Sequence, residues 1–242
     1  MPAESPLDDN ERSRLLAQYA EIAVLAGGLA HEIKNPLSTI SLNLELLVED
    51  ITLGDSPREQ RMLKKVRIVQ RECVRLQVLL EDFLKFARAG ELELEETDLN
   101  QVVTEFAAFF QPEATAAQVE LSPHLASDLP HVRIDRDLFR QVLMNLAINA
   151  CQAMPQGGLL ELQTGQSGEM VQLSLIDTGC GMNAATLARI FDVFYSTKRN
   201  GSGLGLPTVK KIIERHGGRL HVDSEPGRGT RVTLLLPAVR VR

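Results

Sequence analysis

The chain has 242 residues, 44% of them hydrophobic, and a formal net charge of -6 at pH 7, enough apolar content to bury one large core or two modest ones. The acidic balance, without a basic tract carrying interleaved aromatics, argues against bulk affinity for nucleic acid, and neither a membrane-spanning run of about 18 apolar residues nor a secretory signal in the polar residues 1–10 is present. Three cysteines with no C-x-x-C spacing fit a reducing compartment, so the chain reads as soluble and cytoplasmic, or as the cytoplasmic portion of a longer protein.

After a flexible lead-in over residues 1–11, a long helix is expected over about residues 12–51. Ala26, Leu29, Ile33, Leu37, Ile40, Leu44, Leu47 and Ile51 recur there at steps of three and four, the seam of a helix that packs along one side. Leu53-Gly54-Asp55-Ser56-Pro57 breaks it. Ser56 as N-cap, Pro57 in the first turn and Glu59 in a capping box start a second helix. Met62, Val66, Val69, Cys73, Leu76, Leu80, Phe83 and Ala87 repeat the spacing until Ala89-Gly90. Two long helices with a short loop predict an antiparallel hairpin. One hairpin cannot cover both apolar stripes, so two hairpins are expected to form a four-helix bundle in a homodimer.

Beyond Gly90 the alternation Glu91-Leu92-Glu93-Leu94-Glu95 predicts a strand and a new domain, residues 91–242. Asp98 caps a helix carrying Val102, Val103, Phe106 and Phe109, and strands are expected near 119–121 and 132–134. Asp135 caps a long helix to Ala153. Strands over 158–164 and 170–176, a glycine-rich segment, a helix over 207–215 and a hairpin of 219–223 with 230–236 complete a mixed sheet covered by helices, in two layers. The domains are therefore a lead-in, a helical hairpin over 12–90, and an α/β unit over 91–242.

His31 lies off the seam, about 160° from both Leu29 and Ile33, and so faces away from the packed stripe. Asn35 follows one turn later on that face and Glu32 is its neighbour. An imidazole titrates near about 6.5 and is mostly neutral at pH 7; it can present one ring nitrogen as a nucleophile while a carboxylate such as Glu32 holds the proton of the other. A solvated polar face is the competing reading. On the helix after Asp135, Gln141, Asn145, Asn149 and Gln152 form a line of amides opposite the apolar side. Amide oxygens suit magnesium bridged by phosphates, and a plain polar face would look the same. Asp177-Thr178-Gly179-Cys180-Gly181-Met182 ends an apolar strand: its carboxylate can accept from an exocyclic amine and its glycines admit a flat base, although a simple turn also accounts for it. Lys198 before Gly201-Ser202-Gly203-Leu204-Gly205-Leu206-Pro207 can build an anion site at a helix start. The spacing is neither a Rossmann nor a Walker loop. Gly227-Arg228-Gly229-Thr230 joins two strands, as a hairpin turn also would.

In order, these segments resemble the cytoplasmic core of two-component sensor histidine kinases, with the H-E-I-K-N-P-L histidine box of the nitrogen-regulatory type. Residues 145–149 resemble the N box, 177–182 the first glycine box, 190–195 the phenylalanine box, 201–206 the second glycine box and 227–230 the last. The resemblance implies an α+β chain: a long helical hairpin dimerising as a four-helix bundle, then a Bergerat-type α/β sandwich binding ATP. It further implies His31 as phosphoacceptor, Glu32 as its acid/base partner, Asn149 as ligand of Mg2+ supported by Asn145, and Asp177 as adenine reader. Gly179, Gly181 and Thr230 would shape the base pocket; Lys198, Gly201, Gly203 and Gly205 would form a short lid over the phosphates. ATP would phosphorylate His31, and the phosphoryl group would pass to an aspartate of a response-regulator receiver domain. Glu32 and Asn35 match the family's E-x-x-N pattern, which implies phosphatase activity toward that partner.

Val193 stands where the phenylalanine box often has proline, and Pro207 where a small residue commonly begins the helix. Nothing before the first helix is long enough for a sensor domain, so the input is expected to be missing from this sequence or supplied from elsewhere. Two other readings compete. A clamp ATPase of the gyrase or chaperone kind uses a glutamate where this chain has Asn145, so steady hydrolysis is expected to be poor. A non-catalytic dimer scaffold would bind ATP without phosphate on His31.

Overall fold

The computed structural model describes residues 33–35, 37–49, 56–87, 92–198 and 201–239. His31, Glu32, the lead-in, the loop at 53–55 and the segment 88–91 lie outside the described residues. The chain divides into two compact units at Gly90 and Glu91.

In the first unit, residues 33–35 and 37–49 are helical (α1) and a second helix, α2, spans Pro57–Ala87. The capping box forms as the spacing predicts: Glu59 N donates to Ser56 Oγ at 3.3 Å and Ser56 N to Glu59 Oε2 at 2.8 Å, two otherwise unpaired donors satisfied reciprocally. Lys34 Nζ lies 3.5 Å from Glu81 Oε1, which sets the start of α1 beside the end of α2 and makes the pair antiparallel. The expected seam divides in two. Leu37 and Cys73 are buried and Leu44, Val66 and Leu80 half-buried, whereas Ile33, Ile40 and Leu47 on α1 and Met62, Val69 and Leu76 on α2 remain between 39% and 50% exposed. A single neighbouring helix covers only one side of an a/d stripe.

The second unit begins with β1 (Glu95–Thr97), followed by α3 (Leu99–Ala116), β2 (Val119–His124), β3 (Val132–Ile134), α4 (Arg136–Ala153), β4 (Gly158–Ser167), β5 (Met170–Asp177), the short α5 (Ala184–Leu187), α6 (Gly205–Arg215), β6 (Arg219–Glu225) and β7 (Gly229–Pro237). β1 pairs antiparallel with β3. The main sheet runs β2-β4-β5-β7-β6, with β2 and β4 parallel and the other pairs antiparallel. Its inward side chains, such as Leu160, Leu173 and Leu234, share one core with Phe110 of α3, Phe139 of α4 and Ile213 of α6. The result is the expected mixed sheet with helices on one face.

Three details differ from expectation. Phe109 is 67% exposed and Phe110 is buried, stacked on Phe106 with ring centroids 5.5 Å apart; the buried stripe continues by a step of four, 106 to 110, rather than three. The strand expected at 91–95 lies at Glu95–Thr97, because backbone pairing with β3, not the Leu/Glu alternation, selects it. The helix expected from Pro207 starts at Gly205, with Pro207 inside the first turn, where a missing N–H leaves no bond unmade. The single turn α5 had no periodic signal.

Candidate functional site

Antiparallel pairing places Asp177, at the end of β5, opposite Thr230, at the start of β7. The carboxylate is buried, 8% exposed, and its Oδ1 accepts from Gly179 N at 2.9 Å and from Thr230 N at 3.2 Å. Burial raises its pKa, opposed by the two backbone donors and by the charge of Lys198. Both bonds fall on one oxygen. A buried carboxylate held this way can turn its other oxygen to a ligand donor.

Glycine is required around it. Gly181 (φ +64°) and Gly229 (φ +88°) adopt left-handed backbone, and a Cβ would strike the carbonyl of Glu225 at the first and of Asp177 at the second. Ser224, to which the sequence reading gave no role, ties the corner together: its Oγ accepts from Met182 N at 2.9 Å, donates to Gly229 O at 3.0 Å and lies 2.9 Å from Thr230 Oγ1. Only a cross-strand neighbour reveals it.

The amide line forms the second wall. Asp135 caps α4 by accepting from Leu138 N at 3.0 Å, and Asn145, Asn149 and Gln152 follow on one face. Lys198 Nζ donates to Asn149 Oδ1 at 2.9 Å and to Gln152 Oε1 at 2.6 Å. A Cβ at Gly205 would sit 3.8 Å from Asn149 Nδ2 and 4.0 Å from Asn145 Oδ1, so the first turn of α6 abuts the amides. That helix start has no side-chain cap. Its backbone donors and dipole, with a lysine alongside, favour an anion.

The glycines expected to form a lid occupy crowded turns. A Cβ on Gly201 would overlap Ser196 Oγ, and one on Gly203 (φ +68°) would overlap the backbone of Phe194, whose N–H donates to Gly203 O at 3.1 Å. Phe194 itself has φ +66°, an uncommon conformation for an aromatic. Thus Asp177, Gly179, Gly181 and Thr230 meet at one corner, and Asn145, Asn149, Lys198 and Gly205 at another region of the same unit. Asn35 belongs to the first unit, where it is exposed on α1.

These residues fit a magnesium-bound nucleotide. Asn149 Oδ1 already faces a cation, the Lys198 ammonium, and the neutral amides add no negative charge against phosphate. Among the described residues no cluster of three or more His, Cys, Asp or Glu side chains could hold a metal ion. No helix among them is long and apolar enough to cross a membrane.

Residues 134–240 match the family described as histidine kinase-, DNA gyrase B-, and HSP90-like ATPase, and residues 23–92 match the His Kinase A (phospho-acceptor) domain. The sensor histidine kinase ZraS of Escherichia coli (strain K12) is 34% identical over 213 residues, covering 88% of this chain and 45% of ZraS; the chain spans less than half of that relative's length. Full-length ShkA in complex with AMPPNP superposes with a TM-score of 0.70 at 29% identity, covering 90% of this chain and 46% of ShkA. The histidine kinase ThkA in complex with the response regulator protein TrrA shares the fold, with a TM-score of 0.66 at 24% identity over 98% of this chain and 68% of ThkA. With a phospho-acceptor domain followed by a kinase-type ATPase domain, the chain belongs to the two-component histidine kinases, of which it carries the catalytic core.

Proposed function

We propose that this chain transfers the γ-phosphoryl group of ATP to His31 and then to an aspartate of a response-regulator receiver domain. The observation that carries the reading is the ammonium of Lys198 on Asn149 Oδ1, 2.9 Å away, beside the uncapped start of α6. Asp177 accepts the adenine amine, Gly179, Gly181 and Thr230 shape the base pocket, and Lys198 with Gly201, Gly203 and Gly205 covers the phosphates. Asn149, supported by Asn145, is the protein ligand of Mg2+, which when bound neutralises phosphate charge. His31 supplies the attacking ring nitrogen and Glu32 holds the proton on the other. The protein's contribution is positioning and charge neutralisation.

The hairpin, residues 12–90, is the dimerisation and phosphotransfer domain, and residues 91–242 are the ATP-binding domain. The exposed lines Ile33, Ile40, Leu47 and Met62, Val69, Leu76 support a homodimer. Asn35, on α1 and four residues after His31 in the sequence, orients water for dephosphorylating the regulator. Cys73, Cys151 and Cys180 are all unpaired, which supports a cytoplasmic setting.

The test is incubation with γ-labelled ATP and Mg2+, with His31→Gln in parallel. Label that is acid-labile, base-stable and lost in the variant is expected. Label elsewhere, or bound nucleotide without label, overturns the kinase reading; the second outcome favours an ATP-binding scaffold.

A further inference from the structure

Gln152 touches the lid lysine more closely than any other group described, yet the roles assigned above leave it without a task. Its Oε1 lies 2.6 Å from Lys198 Nζ, with Asn149 Oδ1 at 2.9 Å completing the cradle. Residues 149 and 152 are three apart on α4, so both amides project from one face. Lys198 is exposed as a residue, so these two hydrogen bonds are what orient its ammonium.

A divalent ion and an ammonium on Asn149 Oδ1 compete for it, because two positive charges on one oxygen repel at close range even though it has two lone pairs. Metal binding there favours release of Lys198 from Asn149. Gln152 is the acceptor that does not compete.

We infer that Gln152 is a positioning residue for Lys198, sharing its ammonium with Asn149 in the nucleotide-free site and holding it toward the terminal phosphate once Asn149 is engaged. Without that tether a lysine on a glycine-rich lid samples solvent and pays rotamer entropy to return. A neutral amide suits the task better than a carboxylate. It directs the ammonium without cancelling its charge or opposing phosphate. The inference rests on the proposed assignment of Lys198 and Asn149 to the phosphate end of the site.

The full chain, Gln152→Leu and Gln152→Glu are compared for binding of ADP and AMP-PNP in Mg2+ by calorimetry. For Gln152→Leu, AMP-PNP is expected to weaken by about tenfold, the loss of one charged hydrogen bond, with ADP changed far less. For Gln152→Glu, AMP-PNP is again expected to lose more than ADP. Parallel losses for the two nucleotides, or unchanged binding of both, overturn the inference and leave the kinase reading in place. If the parent chain binds neither nucleotide, the assignment of the site falls, and this inference with it.

Discussion

The backbone N–H of Asp135 donates to His216 Nε2 at 3.0 Å across 81 residues of sequence. Asp135 caps α4, His216 follows α6 as its C-cap, and the other ring nitrogen, Nδ1, lies 2.7 Å from Ile212 O. A carbonyl at Nδ1 requires the proton there, so Nε2 is the bare acceptor. The two helices run oppositely. The joint fixes one end of the pair, and Asn145 and Asn149 beside Gly205 lie toward the other, which sets the amide wall against the lid helix.

This joint predicts a pH dependence. Burial is the largest influence on His216 and lowers its pKa; the Ile212 carbonyl and Asp135 raise it, and Arg215 lowers it further. The unfolded chain therefore binds the proton first, near about pH 6.5. Stability contributed by the neutral ring is fully present above that value and is lost as pH falls toward the folded pKa. Urea denaturation is expected to show lower stability at pH 5.5 than at 7.5, with a smaller difference in His216→Ala. That variant leaves Asp135 N–H without its partner, at a cost of about 1–3 kcal/mol at neutral pH.

No local pattern announced that contact, and the reason is general to the chain. Features decided within a few residues were readable from sequence: the Ser56/Glu59 box, the Asp98 and Asp135 caps and the β4–β5 and β6–β7 hairpins. Choices settled by tertiary neighbours were not. Phe109 and Phe110 are chemically equal, and only the sheet beneath α3 selects the second. The Leu/Glu alternation at 91–95 had the right period, but β3 offered its backbone partners to residues 95–97. In the site, the motif residues stood out by type and spacing. Ser224 emerges only when the strands are in place, and the contact of Gln152 with Lys198 only when the segment carrying the lysine is.

Asp177 bears a cost that its substitution should reveal. Burial raises its folded pKa above the unfolded value near about 3.9. The folded chain thus binds the proton more readily, and the associated stability is present below the unfolded pKa and lost as pH rises through the folded one. At neutral pH the ionised group is a net burden. Asp177→Asn keeps an acceptor for Gly179 and Thr230 while removing the buried charge. Its melting temperature at pH 7.5 is expected to equal or exceed that of the parent, with adenine nucleotide binding abolished. A clear fall in melting temperature would mean that the charge is compensated by its donors.

The glycines at the proposed base pocket separate conformational from steric demands. Gly227 has φ +76° with open space beyond it, whereas Gly229, at φ +88°, would drive a Cβ into the Asp177 carbonyl. Gly227→Ala is expected to cost about 1–2 kcal/mol, the ordinary penalty for a left-handed alanine. Gly229→Ala adds the displacement of β5 from β7 and should cost more than about 3 kcal/mol and abolish nucleotide binding. Paired denaturation and binding measurements check the ranking.

Asn35 is exposed on α1, and its carbonyl accepts from Thr39 Oγ1 at 3.1 Å, a bond that any residue at position 35 retains. Asn35→Ala should therefore fold normally and autophosphorylate at the parental rate. Dephosphorylation of the phosphorylated regulator should fall by about tenfold or more if the amide orients water. Intact phosphatase activity alongside normal autophosphorylation would remove Asn35 from that role.

The lines of exposed apolar residues on the hairpin give a last prediction. Ile33, Ile40 and Leu47 repeat every seven residues on α1, as do Met62, Val69 and Leu76 on α2, and all are between 39% and 50% exposed. A two-fold pairing would bury what remains exposed of both lines, each aliphatic side chain contributing about 0.7–1.5 kcal/mol, roughly half the value for full burial. Ile40→Glu with Val69→Glu changes four side chains per dimer, so the dimer dissociation constant should rise by at least about two orders of magnitude, and sedimentation should report a monomer. Leu42 is 57% exposed but points about 160° away from Ile40. Leu42→Glu should leave the mass unchanged, and a monomer from that control would place the interface on another face.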